Sequence, residues 1–133
     1  MITLEDVLVF ARTLYGEVRG ESHEGRLAVA HVILNRLKKK HRKESTLIGV
    51  CTEPYQFSAW NENDPNRDKL QGIQVNDATF RECLIVALLA LNDKYDPTEG
   101  AQFYHTNSIR PDWAKGKEPV VVIGNHSFYN DVI

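Results

Sequence analysis

The sequence predicts an α+β domain that is mainly helical and ends in a small antiparallel sheet. Three long segments before residue 96 repeat apolar side chains at helical spacing. After residue 100 the pattern changes to short β-branched and aromatic runs. The length of 133 residues favours a single domain spanning the chain, 1–133. With 42% hydrophobic and 26% charged residues the composition is globular, and no apolar run approaches the ~20 residues that cross a bilayer.

The first helix is predicted from about residue 4 to about residue 17. Thr3, with Asp6 three positions later, resembles a capping box at its start. Apolar residues then recur at the helical period, and Gly16 and Gly20 mark its end. We therefore expect an amphipathic helix that packs one face on the core.

The second predicted helix begins near His23, where Ser22 can act as its N-cap. It is apolar on almost every side from Leu27 to Leu37, which predicts a position in the middle of the core. A basic run over residues 36–43 follows and holds six of the sixteen Lys and Arg residues. One end of the molecule is therefore predicted to be basic.

The segment 51–75 is rich in Asn, Asp, Gln and Pro and shows no sustained period, which predicts a long functional loop. Asn76 or Asp77 can then cap a third helix, which keeps the helical period as far as Leu91 and ends before Asp96. This assignment gives three helices in all.

The C-terminal sheet is predicted from two short runs, 101–105 and 119–130. Gly124 and Asn125 form a two-residue hairpin signal inside the second run. We therefore expect two or three short antiparallel strands.

Two carboxylates, Glu17 and Glu21, flank Arg19 where the first helix ends. If the helix continues, their four-residue spacing places them on similar sides. Gly16 and Gly20 remove bulk around Glu17, as a polymer substrate passing close to the backbone would require. The pattern is also typical of solvated charges at a helix end.

Four later segments combine aromatic and polar side chains: 56–58, 96–105, 123–126 and 128–129. Sugars are bound by such combinations, because aromatic faces pack on ring C–H groups while amides and hydroxyls bind sugar hydroxyls. Each segment alone also has a structural interpretation as core, turn or exposed amide.

Taken in order, these segments resemble the SleB-type, spore-cortex-lytic cell-wall hydrolases, a family also found among phage and bacterial peptidoglycan-degrading enzymes. The resemblance covers nearly the whole chain and rests on five motifs: ARTLYGEVRGE, GRLAVAHVILNR, QFSAW, DPTEGAQFYH and IGNHSFY. Val18 stands where the family pattern has alanine, and residues 61–75 read as an insertion. The resemblance implies a lysozyme-like, mainly helical domain that cleaves the β-1,4 bond between N-acetylmuramic acid and N-acetylglucosamine without a cofactor or metal.

The resemblance places a single catalytic glutamate at Glu17. As a neutral acid it would protonate the leaving glycosidic oxygen, and as a carboxylate it would deprotonate the muramic 6-hydroxyl to leave a 1,6-anhydro end. Attack by water would instead give simple hydrolysis. The first role needs a raised pKa for Glu17, which apolar walls would supply.

Several side chains are candidates to build this site. The walls would come from Tyr15, Phe57, Trp60 and Tyr104. The substrate-binding candidates are Gln56, Phe57, Ser58, Tyr104 and His105, with Glu21 and Trp60 as secondary candidates. The favoured role of Glu21 is structural, as an acid at the start of the second helix or as a partner of Arg19.

Other classes of function stay open. A metal-dependent amidase would draw on the five histidines, but no HExxH motif is present, and His23 and His31 do not share a helix face. Cysteine catalysis is a thinner alternative, because Cys51 and Cys83 are predicted to be buried thiols. A wall-binding module without catalysis is a third. Nucleic acid is not expected, since the pI is about 6.2 and no aromatics interleave with the basic run.

We expect a monomer that binds peptidoglycan strands, with residues 38–43 helping to hold it on anionic wall polymers. Glu5 and Asp6 stand where a secretory signal would carry basic residues, so no signal peptide is predicted. The expected location is therefore cytoplasmic until lysis, or phage-associated.

Overall fold

The computed structural model describes residues 2–39, 46–53, 56–93 and 95–130. Within these ranges it contains five α-helices, two short 3₁₀ helices and three strands. The α-helices are α1 (Leu4–Val18), α2 (His23–Lys39), α3 (Leu47–Thr52), α4 (Asn66–Gly72) and α5 (Ala78–Asn92). The 3₁₀ helices are Ser58–Trp60 and Asp112–Ala114, and the strands are β1 (Phe103–Thr106), β2 (Val121–Ile123) and β3 (His126–Tyr129). The predicted α+β class is confirmed. No helix in the described ranges is both long and apolar enough to cross a membrane.

The predicted capping box at the start of α1 is confirmed. The Asp6 backbone N–H donates to the Thr3 hydroxyl over 3.1 Å, and the Thr3 N–H donates to the Asp6 carboxylate over 2.9 Å. The second carboxylate oxygen of Asp6 accepts from the backbone N–H of Ile48 over 3.1 Å, which ties α3 to α1. These bonds hold the pKa of Asp6 below its usual range, and the bond from the backbone N–H of Thr3 contributes most.

The middle of the core is α2, as its apolar sequence predicts. Residues 28–33 are all buried, and the helix packs against α1, α3 and α5. Its predicted cap is also present, because the Gly25 N–H donates to the Ser22 hydroxyl over 3.2 Å. At the start of α5, Asp77 accepts from the Phe80 N–H over 2.9 Å. Local sequence signals therefore located both helices.

Two neighbouring side chains near the end of α2 anchor the segment that leads into β1. Asn35 Nδ2 donates to Asp96 Oδ2 over 2.8 Å and to the Ala101 carbonyl over 2.9 Å. Arg36 Nε donates to the Gln102 carbonyl over 2.7 Å. The sheet therefore starts from a fixed point on the central helix.

The predicted long loop over 51–75 is wrong in part, because this segment contains the end of α3, the 3₁₀ helix Ser58–Trp60 and the whole of α4. The seven-residue α4 contributes one buried side chain, Leu70, so no period is visible in the sequence. A Cβ on Gly16 would lie 2.8 Å from Ala59 Cβ and 2.9 Å from Leu70 Cδ2. The missing side chain at Gly16 thus makes room for this segment and not for a substrate chain.

The sheet has the order β1-β3-β2 with antiparallel pairing, and the hairpin prediction is confirmed. Gly124 takes the left-handed conformation, φ 57°, in the turn before β3. Tyr104 pairs with Phe128, so these rings share the face that contacts the helices. Phe103 and Tyr129 share the opposite face, which Trp113 covers.

We predict that Gly16→Ala destabilises the protein, although alanine ordinarily favours a helix. The added methyl group would meet two packed side chains, and overpacking of this kind costs about 1–3 kcal/mol. Thermal unfolding should therefore show a Tm lower by about 5–15 °C. Gly72→Ala is the matched control, since among the described residues no atom beyond its chain neighbours and its own helix backbone lies within 4 Å of the added Cβ, and this variant should keep or slightly raise the wild-type Tm. Equal Tm values for both variants would contradict the close approach.

Candidate active site

Glu17 is half-buried in the last turn of α1, where three other elements meet it. The Tyr104 hydroxyl on β1 donates to Glu17 Oε1 over 3.1 Å. The Ala59 backbone amide in the 3₁₀ helix also interacts with the carboxylate, and the positive charge of Arg36 on α2 acts on it. The site therefore forms around one carboxyl group.

The pKa of Glu17 is raised, as the predicted acid role requires. Burial is the main cause, because the charged form loses its hydration, and the negative charge of Asp64 adds to this effect. Hydrogen bonds from Tyr104 and Ala59, together with the charge of Arg36, act in the opposite direction. Glu17 is thus biased toward the neutral form while donors for its carboxylate form are already in place.

Tyr104 is held by two rings on its own face of the sheet. Its ring stacks on Phe128, with centroids 5.9 Å apart and an interplanar angle of 29°. It meets the ring of His126 edge-on, at 5.3 Å and 71°. Burial and the neighbouring Glu17 raise the pKa of Tyr104 well above its usual value, so its hydroxyl remains a donor.

Arg36 is a buried cation behind the site that the sequence reasoning did not select. Its guanidinium lies over the rings of Phe57, at 5.2 Å, and Phe103, at 5.8 Å. Its Nη1 lies 3.5 Å from Gln56 Oε1. The sequence analysis counted it in the basic run, and the available signal was its place within the apolar stretch from Leu27 to Leu37, which is typical of a cation with a structural or electrostatic task.

The structure groups some of the predicted site residues and separates others. Gln56 and Phe57 lie beside Arg36, and Phe57 is fully buried. Ser58 is exposed at the start of its 3₁₀ helix. Trp60 donates from Nε1 to the Thr13 hydroxyl of α1 over 2.8 Å, so it fastens the segment to the helix.

His105 and Tyr15 are not brought to Glu17. Successive side chains of a strand point to opposite faces, so His105 lies on the other face of β1 from Tyr104. Its Nε2 is 2.9 Å from the Tyr129 hydroxyl, and its ring meets Trp113. Tyr15 packs edge-on against Phe80 of α5 and does not form a wall of the site.

Glu21 has a structural partner, but it is not Arg19. The helix ends at Val18, and Glu21 accepts from Asn125 Nδ2 over 3.1 Å and from the Asn125 backbone N–H over 3.4 Å. Its Oε1 is 3.5 Å from His126 Nδ1. Burial would raise the pKa of Glu21, but the Asn125 hydrogen bonds and His126 together lower it. Arg19 donates instead to the Tyr15 carbonyl and to Asn66 Oδ1.

The cysteines are buried free thiols, as predicted. Burial raises the pKa of Cys51 to about 12 and that of Cys83 to about 11, which disfavours the thiolate that cysteine catalysis needs. In the described ranges, no three His, Cys, Asp or Glu side chains are grouped as metal ligands. His41 and the basic residues 40–43 lie outside the described residues.

A model of the cell wall hydrolase family matches residues 20–129. The spore cortex-lytic enzyme of Bacillus subtilis (strain 168) is 35% identical over 124 residues, 92% of this chain and 37% of that protein. The spore cortex-lytic enzyme of Halalkalibacterium halodurans is 32% identical over 94% of this chain and 34% of its own length. The chain thus spans little more than one third of these relatives.

Two solved structures are similar at 30% identity. The catalytic domain of the germination-specific lytic transglycosylase SleB from Bacillus anthracis aligns with a TM-score of 0.74 over 96% of this chain and 95% of that chain. The catalytic domain of the Bacillus cereus SleB protein aligns with a TM-score of 0.76 over 97% and 92%. The expected mainly helical architecture with a small antiparallel sheet is thus confirmed, and it is the fold of these catalytic domains.

The expected location, in the cytoplasm until lysis or on a phage particle, is wrong. The relatives are named for lysis of the spore cortex, and the solved neighbours are SleB catalytic domains, one of them described as germination-specific. The comparisons therefore relate the chain to enzymes named for the spore cortex and not to phage lysins.

We predict that Glu17→Gln raises thermal stability at neutral pH. A carboxyl whose pKa is raised by folding contributes stability below its unfolded-state pKa, and this contribution is lost as pH rises through the folded-state value. The amide keeps the shape without the buried charge, so the Tm difference from wild type should grow as pH rises above 4.5, the usual glutamate pKa. Glu24→Gln, at an exposed site, should show no such trend. A Tm difference independent of pH would contradict the burial of a costly charge at Glu17.

Proposed function

The chain belongs to the cell wall hydrolase family, and we propose that it is a peptidoglycan lytic transglycosylase in which Glu17 is the general acid and base. The observation that carries this proposal is the half-buried Glu17 carboxyl, whose pKa is raised and whose oxygen accepts from Tyr104. The relatives are spore cortex-lytic enzymes, which points to peptidoglycan of the spore cortex as the substrate. We further propose that residues 1–133 form one catalytic domain and that this domain acts as a monomer.

In the first step, neutral Glu17 donates its proton to the oxygen that links muramic C1 to the next sugar. The C1–O bond breaks, and the positive charge that develops is shared between C1 and the ring oxygen of the muramic acid. General acid catalysis of this kind contributes about 10²–10⁴ in rate. The raised pKa of Glu17 supports the role, because the proton must be present near neutral pH.

In the second step, the Glu17 carboxylate takes the proton of the muramic 6-hydroxyl while that oxygen bonds to C1. The sugar leaves with a 1,6-anhydro ring, and Glu17 is neutral again. The carboxylate that exists between the steps is stabilised by Tyr104, by the Ala59 amide and by the charge of Arg36. These three groups oppose the effect of burial on the pKa of Glu17 and so stabilise the base form.

The substrate would contact the surface beside the Ser58–Trp60 helix. Ser58 is exposed next to Ala59, and Gln56 is half-buried beside Arg36, so both can offer hydrogen bonds to sugar hydroxyls. The Phe57 ring packs against the Arg36 guanidinium, and Trp60 bonds the segment to α1, so their proposed roles are indirect. His105 lies on the far face of β1 and is not part of this proposed cleft.

Cleavage by the Glu17→Gln variant is the direct test. An amide cannot deliver a proton, so turnover of purified cortex peptidoglycan should fall by about 10² or more while the fold survives. Mass analysis of wild-type products should show 1,6-anhydro muramic ends. Glu24→Gln should retain wild-type turnover, because that side chain is exposed at the start of α2.

Reducing muramic ends would assign hydrolysis in place of transglycosylation, and freed stem peptides would assign an amidase. Binding to the wall without any soluble fragment would leave a wall-binding module. Full turnover by a folded Glu17→Gln protein would overturn the catalytic role of Glu17.

We also propose that the basic run holds the enzyme on anionic wall polymers. Lys38 and Lys39 are exposed at the end of α2, and such charge contacts weaken as salt screens them. Replacing Lys38, Lys39, Lys40 and Lys43 with Gln should reduce binding to whole walls and flatten its salt dependence, with turnover of a short soluble glycan unchanged. The double variant Lys38→Gln with Lys39→Gln should show the same trend to a smaller degree, and Lys115→Gln with Lys117→Gln is its control of equal net charge. Equal loss of activity on both substrates would contradict a tethering role.

A further inference from the structure

Glu21 connects two turns that lie far apart in the chain. It follows α1 in the turn before α2, and it accepts from both the side chain and the backbone N–H of Asn125 in the turn between β2 and β3. Its Oε1 also lies 3.1 Å from the position of a Cβ on Gly124. The carboxylate is thus fitted closely against the β2–β3 turn and fixes the start of β3.

His126 is the first residue of β3 and is only 5% exposed. Its buried Nδ1 has no hydrogen-bond partner in the described part of the chain, and Glu21 Oε1 lies 3.5 Å from it. The edge-on contact between His126 and Tyr104 completes a continuous path. That path runs from Glu21 through His126 and Tyr104 to Glu17.

We propose that Glu21 and His126 are positioning residues that hold the Tyr104 hydroxyl on the Glu17 carboxyl. The inference rests on the proposed role of Glu17 and extends it to a second glutamate that never touches the substrate. The Tyr104 ring is rigid, so the position of its hydroxyl oxygen follows from how Phe128 and His126 pack against the ring. Glu21 orients His126 by placing a negative charge beside Nδ1, which favours the tautomer with its proton there.

The direction in which the pKa of Glu17 changes distinguishes a positioning role of Glu21 from a purely electrostatic one. Glu17 is faced by Tyr104 from β1, by Arg36 from α2 and by Asp64 from the turn before α4. His126 is faced by Glu21 and by the more distant His105. Loss of the Tyr104 hydrogen bond raises the pKa of Glu17, whereas removal of the negative charge of Glu21 through space would lower it.

The experiment is a double-mutant cycle on the pH dependence of kcat. The active acid is neutral Glu17, so activity falls on the alkaline side as Glu17 loses its proton. In Glu21→Gln, this alkaline limb should move to higher pH and kcat should fall about tenfold with KM nearly unchanged, since the reacting group is misplaced and binding is not. In a Tyr104→Phe protein the alkaline limb should lie at higher pH than in the wild type, because the hydrogen bond is gone. Adding Glu21→Gln to that protein should not move the limb further.

Two further variants guard against a purely structural effect. Asn107→Ala loosens the same hairpin from its other side, because it removes the side-chain amide that donates to the Gly124 carbonyl and accepts from the Ser127 hydroxyl. It should lower the Tm and leave the alkaline limb in place. If Glu21→Gln does not fold, His126→Phe keeps a ring against Tyr104 but removes the nitrogen that faces Glu21, and it should move the limb in the same direction.

Titration of the Glu17 carboxyl by carbon NMR measures the same shift without any substrate. An inactive wild-type enzyme would overturn the proposed function, while the titration would still decide the positioning role. Three results would overturn that role. Glu21→Gln could move the alkaline limb and the Glu17 titration to lower pH, it could leave them unmoved, or it could move them as far in the Tyr104→Phe protein as in the wild type.

Discussion

The close contact between Gly16 and the 56–72 segment is the constraint on which the site depends. Only a residue without a side chain lets Ala59 and Leu70 lie this near to α1. That approach buries Glu17, the next residue, and brings the Ala59 amide to its carboxylate. The same contact therefore raises the cost of the charged form and supplies part of its compensation.

The balance around Glu17 suits a group that must give up a proton and then take one back. Burial alone would keep the carboxyl neutral throughout, and strong donors alone would keep it ionised. Here burial prevails in the resting protein, while Tyr104 and Arg36 reduce the energy of the ionised state. Their positions are fixed by packing on aromatic rings, Phe128 for Tyr104 and Phe57 for Arg36. Little rearrangement is then needed between the two states.

The sequence predicted what depends on neighbours in the chain. Thr3 and Asp77 as caps, the buried middle of α2 and the turn at Gly124 were all visible from local patterns. The helix α4 was missed because one buried residue, Leu70, gives no period.

What the sequence could not supply was pairing across the fold. The partner of Glu21 is Asn125, which is 104 positions away, and Arg36 acts on Glu17 from another helix. The motifs that carry the family resemblance named Tyr104 and His105 together, although strand alternation sends them to opposite faces. Neighbours in the sequence therefore lie on different faces at β1, whereas residues that contact each other elsewhere in the fold are far apart in the sequence.

Because Asn35 and Arg36 anchor β1, the C-terminal region has two parts that are held in different ways. The strand that carries Tyr104 is fixed to the central helix by hydrogen bonds to the carbonyls of Ala101 and Gln102. The connection 107–120 beyond it is braced internally by Arg110, which donates to the Ala114 and Lys117 carbonyls. Asn107 and Trp113 in that connection contact the sheet, but the stretch 115–118 that follows them is largely exposed and lies apart from the geometry around Glu17. It is the part of this scaffold where new binding surfaces can arise, or be grafted, while the distance between Tyr104 and Glu17 stays the same.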